Sequence, residues 1–415
     1  MSSGSSLVRV CVVGSGGREH ALAQVLGRSA EVVVTPGNPG IPESVHEPPE
    51  EIEADLFVIG PEAPLVDGLA DRLRHRGRLV FGPGTDGARL EGSKAWMKEV
   101  LVEAGVPTAR YGAFTDRAAA QAFLDRLDGL FVVKTDGLAA GKGVLVTGDR
   151  EEADAAVAAY LSGDAFGDAG RRVVIEQGLT GPELSVLAVC DGTTAVPLAP
   201  AQDFKRLGDG DSGPNTGGMG AYSPVPVATE RLVDDLMEEA VLPTLAALQS
   251  RGIDYRGVLY CGLMLTPDGP RVLEYNVRFG DPETQVVLPR MVDDLADLLA
   301  AAAAGTLGDP PAFDDDAAVT VVCATEGYPA SPCIGDAIDG AEAASDSENV
   351  TVFYSGVDRS GDHLVTAGGR VLAVTGRGAT LAEARDQAYA GVEKISWPGM
   401  HHRVDIAAHP TGASD

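Results

Sequence analysis

The chain has 415 residues, more than one hydrophobic core organises, since single cores stop growing near roughly 250–300 residues; two to four domains are expected. Hydrophobic residues make up 44% and charged residues 22%, with 52 Gly and 26 Pro, which describes a folded globular protein and excludes collagen, coiled coil and wholesale disorder. Lys and Arg number 32 against 61 Asp and Glu, a formal charge of −29 without one acidic tail, and this excludes nucleic acid as a partner because displacing its counterions needs a basic face.

An excess this large and diffuse points to a salt-rich cytoplasm, where counterions screen the repulsion. Any anionic substrate must be received by backbone N–H groups, a few placed Lys and Arg, and a metal. The longest apolar run, residues 298–305, falls far short of the roughly 18–20 residues of a membrane helix, and residues 1–6 carry no basic leader, so no membrane association is expected and the chain is expected to be cytoplasmic. Five scattered cysteines with no C-x-x-C fit neither a zinc site nor a disulfide framework, which suggests a reducing compartment.

In chain order, residues 7–13 read as a strand ended by a glycine turn and followed by a helix over residues 18–26. Strands over residues 31–35, 55–59 and 78–81 each end in a Gly/Pro loop, the pattern of a parallel α/β sheet whose ligands sit beyond the carboxyl ends of the strands. Residues 90–104 read as one helix stopped by Gly105 and Pro107. Strands follow at 131–134, 143–147, 172–176 and 184–190, then a long polar glycine-rich loop at 202–221, a helix near 230–242, and a hairpin of strands 257–265 and 271–276. A last region opens near Ala317, with strands at 319–324, 350–355 and 371–375 and a helix at 381–395.

Three motifs carry chemistry. Gly14-x-Gly16-Gly17-Arg18 joins a strand to a helix start, where unpaired N–H groups and the helix dipole can hold a phosphate; Glu19 stands where a dinucleotide fingerprint needs its third glycine. The stretch from Lys134 through Gly137 to Gly141, Lys142 and Gly143 has the composition of a flap carrying a cation over phosphates, and lacks the Ser or Thr of a Walker loop. Alternation along residues 274–278 puts Glu274, Asn276 and Arg278 on one strand face, two hard oxygen ligands beside a planar cation, suited to Mg²⁺ on phosphates and to a phosphoryl in transfer. No histidine lies between His75 and His363, so neither a Ser-His-Asp triad nor H-E-x-x-H can be built there.

Taken together, Gly14-Ser15-Gly16-Gly17-Arg18-Glu19-His20, Pro36-Gly37-Asn38, Gly60-Pro61-Glu62, Glu91-Gly92-Ser93-Lys94, the 136–143 stretch, residues 213–224 and Arg278-Phe279-Gly280-Asp281-Pro282-Glu283 resemble, in order and over nearly the whole chain, the glycinamide ribonucleotide synthetase family of ATP-grasp ligases. The resemblance implies an α/β and α+β multidomain fold: an N-terminal parallel α/β domain at 1–90, an ATP-grasp region at 91–316 with a small lid near 111–182, and a mixed C-terminal domain at 317–415. It implies ligation of glycine to 5-phosphoribosylamine, with ATP as co-substrate and Mg²⁺ or Mn²⁺; the chain itself is expected to be a monomer. By position, Lys94, Lys134, Gly141, Lys142 and Gly143 would meet ATP phosphates, Glu176, Gln177 and Leu179 the adenine, and Glu183 the ribose. Glu274 and Asn276 would hold metal; Gly14, Gly16, Gly17, Arg18, Asn38, Asp203, Lys205, Arg206, Asn215 and Thr216 would surround the sugar amine and glycine; Arg278, Lys142 and Asp281 would be catalytic.

The chain departs from the family pattern at Thr135, Gly178 and Phe204, where Ala, a Phe-like residue and His are expected, and residues 41–59 are short by a strand and helix, so the first sheet is expected to be trimmed at an edge. Another ATP-grasp ligase would share the flap and the Glu274 strand but lack the Asn215 and Asp281 loops. The −29 balance yields a direct expectation: at about 0.01 M salt the Debye length is roughly 30 Å, so carboxylates repel across the surface, and melting temperature should climb steeply as KCl rises toward molar concentration. A flat or falling curve in a thermal-shift titration would leave ordinary acidity as the explanation.

Overall fold

The computed structural model describes residues 8–138, 143–163 and 171–413. Apolar, β-branched runs form the first sheet: β1 (Arg9–Gly14), β2 (Glu31–Pro36), β3 (Leu56–Ile59) and β4 (Val80–Phe81) are parallel in the order β2-β1-β3-β4, with α1 (Gly17–Leu26) between the first two and α2 (Glu62–Val66) and α3 (Leu69–His75) between the last two. The short segment after β2 holds one turn of 3₁₀ helix at Pro49–Glu51. Part of it runs along β2: Val34 N–H donates to the Glu43 carbonyl at 3.1 Å and Val45 N–H to the Val34 carbonyl at 2.9 Å. The exposed edge left by the missing strand is thus partly covered by irregular chain.

Residues 90–104 are divided between two helices, α4 (Thr85–Gly92) and α5 (Lys94–Glu103). Ser93 is extended and its hydroxyl accepts from Trp96 N–H at 3.2 Å, so a capping residue wins over the continuous apolar spacing and starts α5 at Lys94. Next come β5 (Tyr111–Phe114), α6 (Arg117–Leu124), β6 (Phe131–Thr135), β7 (Val144–Thr147), α7 (Arg150–Leu161) and β8 (Val173–Gln177), an antiparallel sheet in the order β5-β8-β6-β7. Its core of Phe123, Leu124, Phe131, Val133, Val157 and Ile175 is separate from the larger clusters elsewhere. Gly178 follows this sheet, where a Cβ would lie 2.3 Å from that of Leu130, which is why no bulky residue stands there.

Residues 183–276 hold β9 (Glu183–Asp191), β10 (Ala195–Pro197), β11 (Gln202–Asp203), β12 (Arg206–Gly208), β13 (Ser212–Asn215), β14 (Gly220–Ser223), α8 (Glu230–Leu236), α9 (Leu242–Ser250), β15 (Arg256–Thr266) and β16 (Gly269–Asn276). The long loop expected at 202–221 is therefore four short strands. β12 and β13 make a hairpin, whereas β11 and β14 join the C-terminal sheet, a pairing partner too distant in sequence to read locally. Arg403 fastens the hairpin: only 1% exposed, it donates to Asp211 at 2.8 Å and to the Arg206 carbonyl at 3.1 Å, and it lies 4.9 Å over the Phe204 ring, which gives Phe204 a stacking role.

After α10 (Thr284–Val287) and α11 (Leu295–Ala304), the C-terminal part comprises β17 (Ala317–Ala324), α12 (Ala341–Ser345), β18 (Val350–Tyr354), β19 (Val357–Ser360), β20 (His363–Thr366), β21 (Arg370–Gly378) and α13 (Leu381–Val392). Its sheet runs β11-β14-β17-β21-β18, and α13 approaches β21 so closely that a Cβ on Gly376 would lie 2.2 Å from the Ala384 carbonyl. The core sheet runs β10-β9-β15-β16, and α11 packs between it and the N-terminal sheet in one shared cluster of Val10, Val12, Leu187, Val258, Leu295 and Leu299. Among the described residues no helix is long and apolar enough to cross a membrane.

His20 on α1 ties the two ends of the chain together: its Nδ1 accepts from Tyr354 N–H at 3.0 Å and its ring stacks on Tyr354. Burial pulls its pKa from 6.5 down to about 4. The unfolded chain therefore binds the extra proton first, so His20 contributes stability above pH 6.5 that is lost as pH falls toward 4. Melting temperature should drop between pH 7 and pH 5 more in the natural chain than in His20→Gln; equal drops would acquit His20.

Candidate active site

A cavity of about 660 Å³ opens where all these parts meet. Helices α1 and α2 bring Arg18 and Glu62, the α4–α5 junction Glu91 and Lys94, the lid Lys134, Gly143, Glu176, Gln177 and Leu179, the core Glu183, Glu274, Asn276, Arg278 and Asp281, and the C-terminal part Tyr328 and Arg370. Asp203, Lys205, Arg206, Asn215 and Thr216 line it from the short strands that replace the expected loop and from their connections.

On the lid side, Glu176 is buried between two ammonium groups, its Oε1 2.7 Å from Lys134 Nζ and its Oε2 2.7 Å from Lys98 Nζ. Burial would raise its pKa, yet Lys134 and Lys98 together hold it below the usual range. Lys98 is brought down to about 8, burial outweighing the pull of Glu176. Lys94 Nζ donates to the Gly137 carbonyl at 2.9 Å; burial and the charge of Lys134 lower its pKa.

On the core side, Lys205 stands between Glu183 at 2.8 Å and Glu274 at 3.5 Å. Lys205 above all, with Lys134, Lys94 and Arg278, draws the pKa of Glu274 down to about 2 against burial, so this carboxylate is ionised at every physiological pH. Asp203 moves the opposite way: burial, with Glu283, Glu183 and Glu274 nearby, outweighs Lys205 and raises it well above the ordinary value. Thr216 steadies the neighbouring turn, its N–H and hydroxyl both donating to the Lys205 carbonyl, at 2.7 and 2.9 Å.

Arg278 is held by Glu91 at 2.9 Å, Glu62 at 3.3 Å and the Phe279 carbonyl at 3.1 Å; burial disfavours its charge, but the two carboxylates prevail and raise its pKa. Arg18 pairs with Glu19 at 2.6 Å and donates to the Phe279 carbonyl at 3.1 Å. Asp281 accepts from Arg370 at 2.9 Å and from Gln285 at 2.7 Å, and Arg370 and Arg18 keep it below the carboxylate range despite burial.

Gly14, Gly16, Gly17 and Asn38 are not among the cavity-lining residues. The expectation of unpaired N–H groups in the first glycine loop is corrected at Gly16, whose N–H donates to Glu19 at 2.6 Å in a capping box. Glu19 in turn explains Gly60, where a Cβ would lie 2.1 Å from its Oε1. Asn38 Nδ2 donates to the carbonyls of Ser15, Tyr354 and Ser355 at 2.8–3.2 Å, so its amide braces the glycine turn against the C-terminal part. Gly141 and Lys142 lie outside the described residues.

Sequence reasoning missed Lys98, Tyr260 and Arg370 as site-building residues, and passed over Glu62, Glu91 and Glu283 within motifs already marked. Tyr260 donates to Glu283 at 2.7 Å beneath the cavity, and Arg370 donates to the carbonyls of Gly217 at 2.6 Å and Asp281 at 2.7 Å. Nothing near Arg370 in the sequence signals this, because only the β17–β21 pairing brings it there.

Models of the phosphoribosylglycinamide synthetase family match in succession: the N domain over residues 8–91, the ATP-grasp (A) domain over 92–284 and the C domain over 318–409. The chain is 50% identical over 417 residues to the phosphoribosylamine–glycine ligase of Caulobacter vibrioides, covering 96% of this chain and 97% of that one. To the corresponding ligase of Streptomyces coelicolor it is 49% identical over 426 residues, covering 98% and 100%. The solved phosphoribosylamine–glycine ligase of Thermotoga maritima superposes with a TM-score of 0.86 at 37% identity, covering 96% of this chain and 100% of that chain. A biotin carboxylase domain from Hydrogenobacter thermophilus, solved with MgADP and bicarbonate, shares the fold at a TM-score of 0.70 and 15% identity, over 96% and 92% of the two chains.

The Arg370–Asp281 contact gives a measurable expectation. Arg370→Met should cost about 2–3 kcal/mol in denaturant unfolding, somewhat less than a fully buried pair, because it strands a largely buried carboxylate. Combined with Asp281→Asn, the loss should be smaller than the sum of the two single losses. Additive losses would show that the two side chains do not act as a pair.

Proposed function

The chain belongs to the phosphoribosylglycinamide synthetase family, and on that premise we propose how its cavity performs the family's reaction. It is an ATP-dependent ligase that joins glycine to 5-phosphoribosylamine, giving glycinamide ribonucleotide, ADP and phosphate in purine biosynthesis. The observation that carries the reading of the site is Glu274 with Lys205 at 3.5 Å, in a cavity that Lys94, Lys134 and Arg278 also line.

A carboxylate resists attack by an amine, so glycine must first be activated. In this reading a glycine carboxylate oxygen attacks the γ-phosphorus of ATP, the bond to the ADP oxygen breaks, and glycyl phosphate forms. The sugar amine then attacks the carbonyl carbon, loses a proton and expels phosphate. An amine needs no strong base, which suits a site without histidine. Lys94, Lys134, Lys142 and the backbone at Gly141 and Gly143 would receive the ATP phosphates, the 176–179 segment the adenine and Glu183 the ribose. Arg278, immobilised by Glu62 and Glu91, would offset charge on the phosphoryl in transfer without reorganising.

Glu274 and Asn276 fit a divalent metal, one as an ionised carboxylate and the other as an amide oxygen on the same strand end. Bound there, Mg²⁺ or Mn²⁺ would act as a Lewis acid on phosphate oxygens. Asp203, Lys205, Arg206, Asn215, Thr216, Arg18 and Asp281 would enclose glycine and the sugar amine; Gly14, Gly16, Gly17 and Asn38 would shape that end from behind. The division into 1–90, 91–316 with a lid near 111–182, and 317–415 is supported by the spans of the family matches and by the lid's own core. The chain is read as a cytoplasmic monomer, and a reducing compartment is supported by five cysteines that form no disulfide.

Release of ADP should require both glycine and freshly made 5-phosphoribosylamine, and Glu274→Gln should reduce turnover at least about a hundredfold with little change of shape. Turnover near that of the natural chain at saturating magnesium would remove Glu274 from the metal site.

A further inference from the structure

Lys98 has no place in the reaction described so far. Its side chain is fully buried, it does not line the cavity, and a buried ammonium persists only where partners compensate it. Its partners form a circuit that joins α5, β8, β6 and β16. The Thr108 hydroxyl donates to the Val272 carbonyl at 2.6 Å and accepts from Lys98 Nζ at 2.7 Å. Lys98 Nζ, 5.8 Å from the centre of the Tyr111 ring, meets Glu176 Oε2 at 2.7 Å, while Oε1 of the same carboxylate meets Lys134 Nζ at 2.7 Å. Lys134 Nζ then stands 3.5 Å from the carbonyl of Leu273, the residue after Val272, so the circuit begins and ends on β16.

The charges along it decide its use. Lys134 and Glu176 alone would form a neutral pair with little attraction for a phosphate. Lys98 makes the triad cationic, and since Lys98 is sealed from the cavity while Lys134 lines it, the surplus is presented at Lys134. The circuit also pins the lid strands β6 and β8 to α5 and to the core strand.

We propose that Lys98 is a positioning residue for nucleotide binding, neutralising Glu176 so that Lys134 keeps its charge for the ATP phosphates. This rests on the reading of Lys134 as a phosphate contact, and variants at the two positions separate the two. With MgATP titrated into the full chain by calorimetry, Lys98→Met should weaken binding at least about tenfold, while Lys98→Arg stays within about threefold. The KM for glycine should not move. Lys98→Gln keeps a hydrogen-bond donor toward Thr108 and Glu176 but not the charge, so it should also weaken MgATP binding at least about tenfold, which a purely structural role for Lys98 would not require. That variant carries the test alone if Lys98→Met does not fold. Unchanged affinity in Lys98→Met, or Lys98→Gln within about threefold of the natural chain, overturns the proposal. If Lys134→Met binds MgATP normally, the reading of Lys134 fails, and the role of Lys98 with it.

Discussion

The structure depends on one constraint: a chain of net charge −29 must hold a cluster of cations toward a single cavity without letting its own carboxylates quench them. Four of the cations that line it are met by carboxylates fixed elsewhere in the fold. Arg278 is shared between Glu62 and Glu91, Lys205 between Glu183 and Glu274, Arg370 grips Asp281, and Glu176 is divided between Lys98 and Lys134. Such pairs are costly to bury and contribute modestly to stability at best, but they set guanidinium and ammonium groups in place before an anion arrives.

The pairs also distribute the site over the whole chain. Arg370 and Tyr328 come from the C-terminal part, and Tyr328 accepts from Gly217 N–H at 2.9 Å, so the turn beside Asn215 and Thr216 is shaped by residues far along the sequence. The same economy orders the β12–β13 hairpin, which the buried Arg403 fastens from the C-terminal segment. The lid sheet has a core of its own and meets the rest of the fold beside the cavity at contacts such as Lys94 to the Gly137 carbonyl and Glu176 to Lys98.

What could be read from the sequence follows the range of the forces involved. Strands and helices set by local apolar spacing, such as β1, α1, β15 and α13, were legible, as was the alternation that brings Glu274 and Asn276 to one cavity wall, because strand alternation is local. The break at Ser93 was legible in principle as a helix cap, but the apolar spacing over residues 90–104 masked it. The strand pairing of residues 202–223, the reach of Arg370 and the buried triad at Lys98 were not legible, since each depends on partners brought together only by the tertiary fold.

In the proposed function these arrangements serve one event, activation of a carboxylate by phosphoryl transfer inside the cavity. The most direct measurement is the fate of carboxylate oxygen: glycine labelled with ¹⁸O in its carboxyl group, turned over with ATP and 5-phosphoribosylamine, followed by mass analysis of the phosphate released. The account predicts one labelled oxygen in each phosphate, carried over when the amine displaces it from glycyl phosphate. Unlabelled phosphate would mean that the glycine oxygen never joined phosphorus, and the assigned chemistry of the cavity would be wrong.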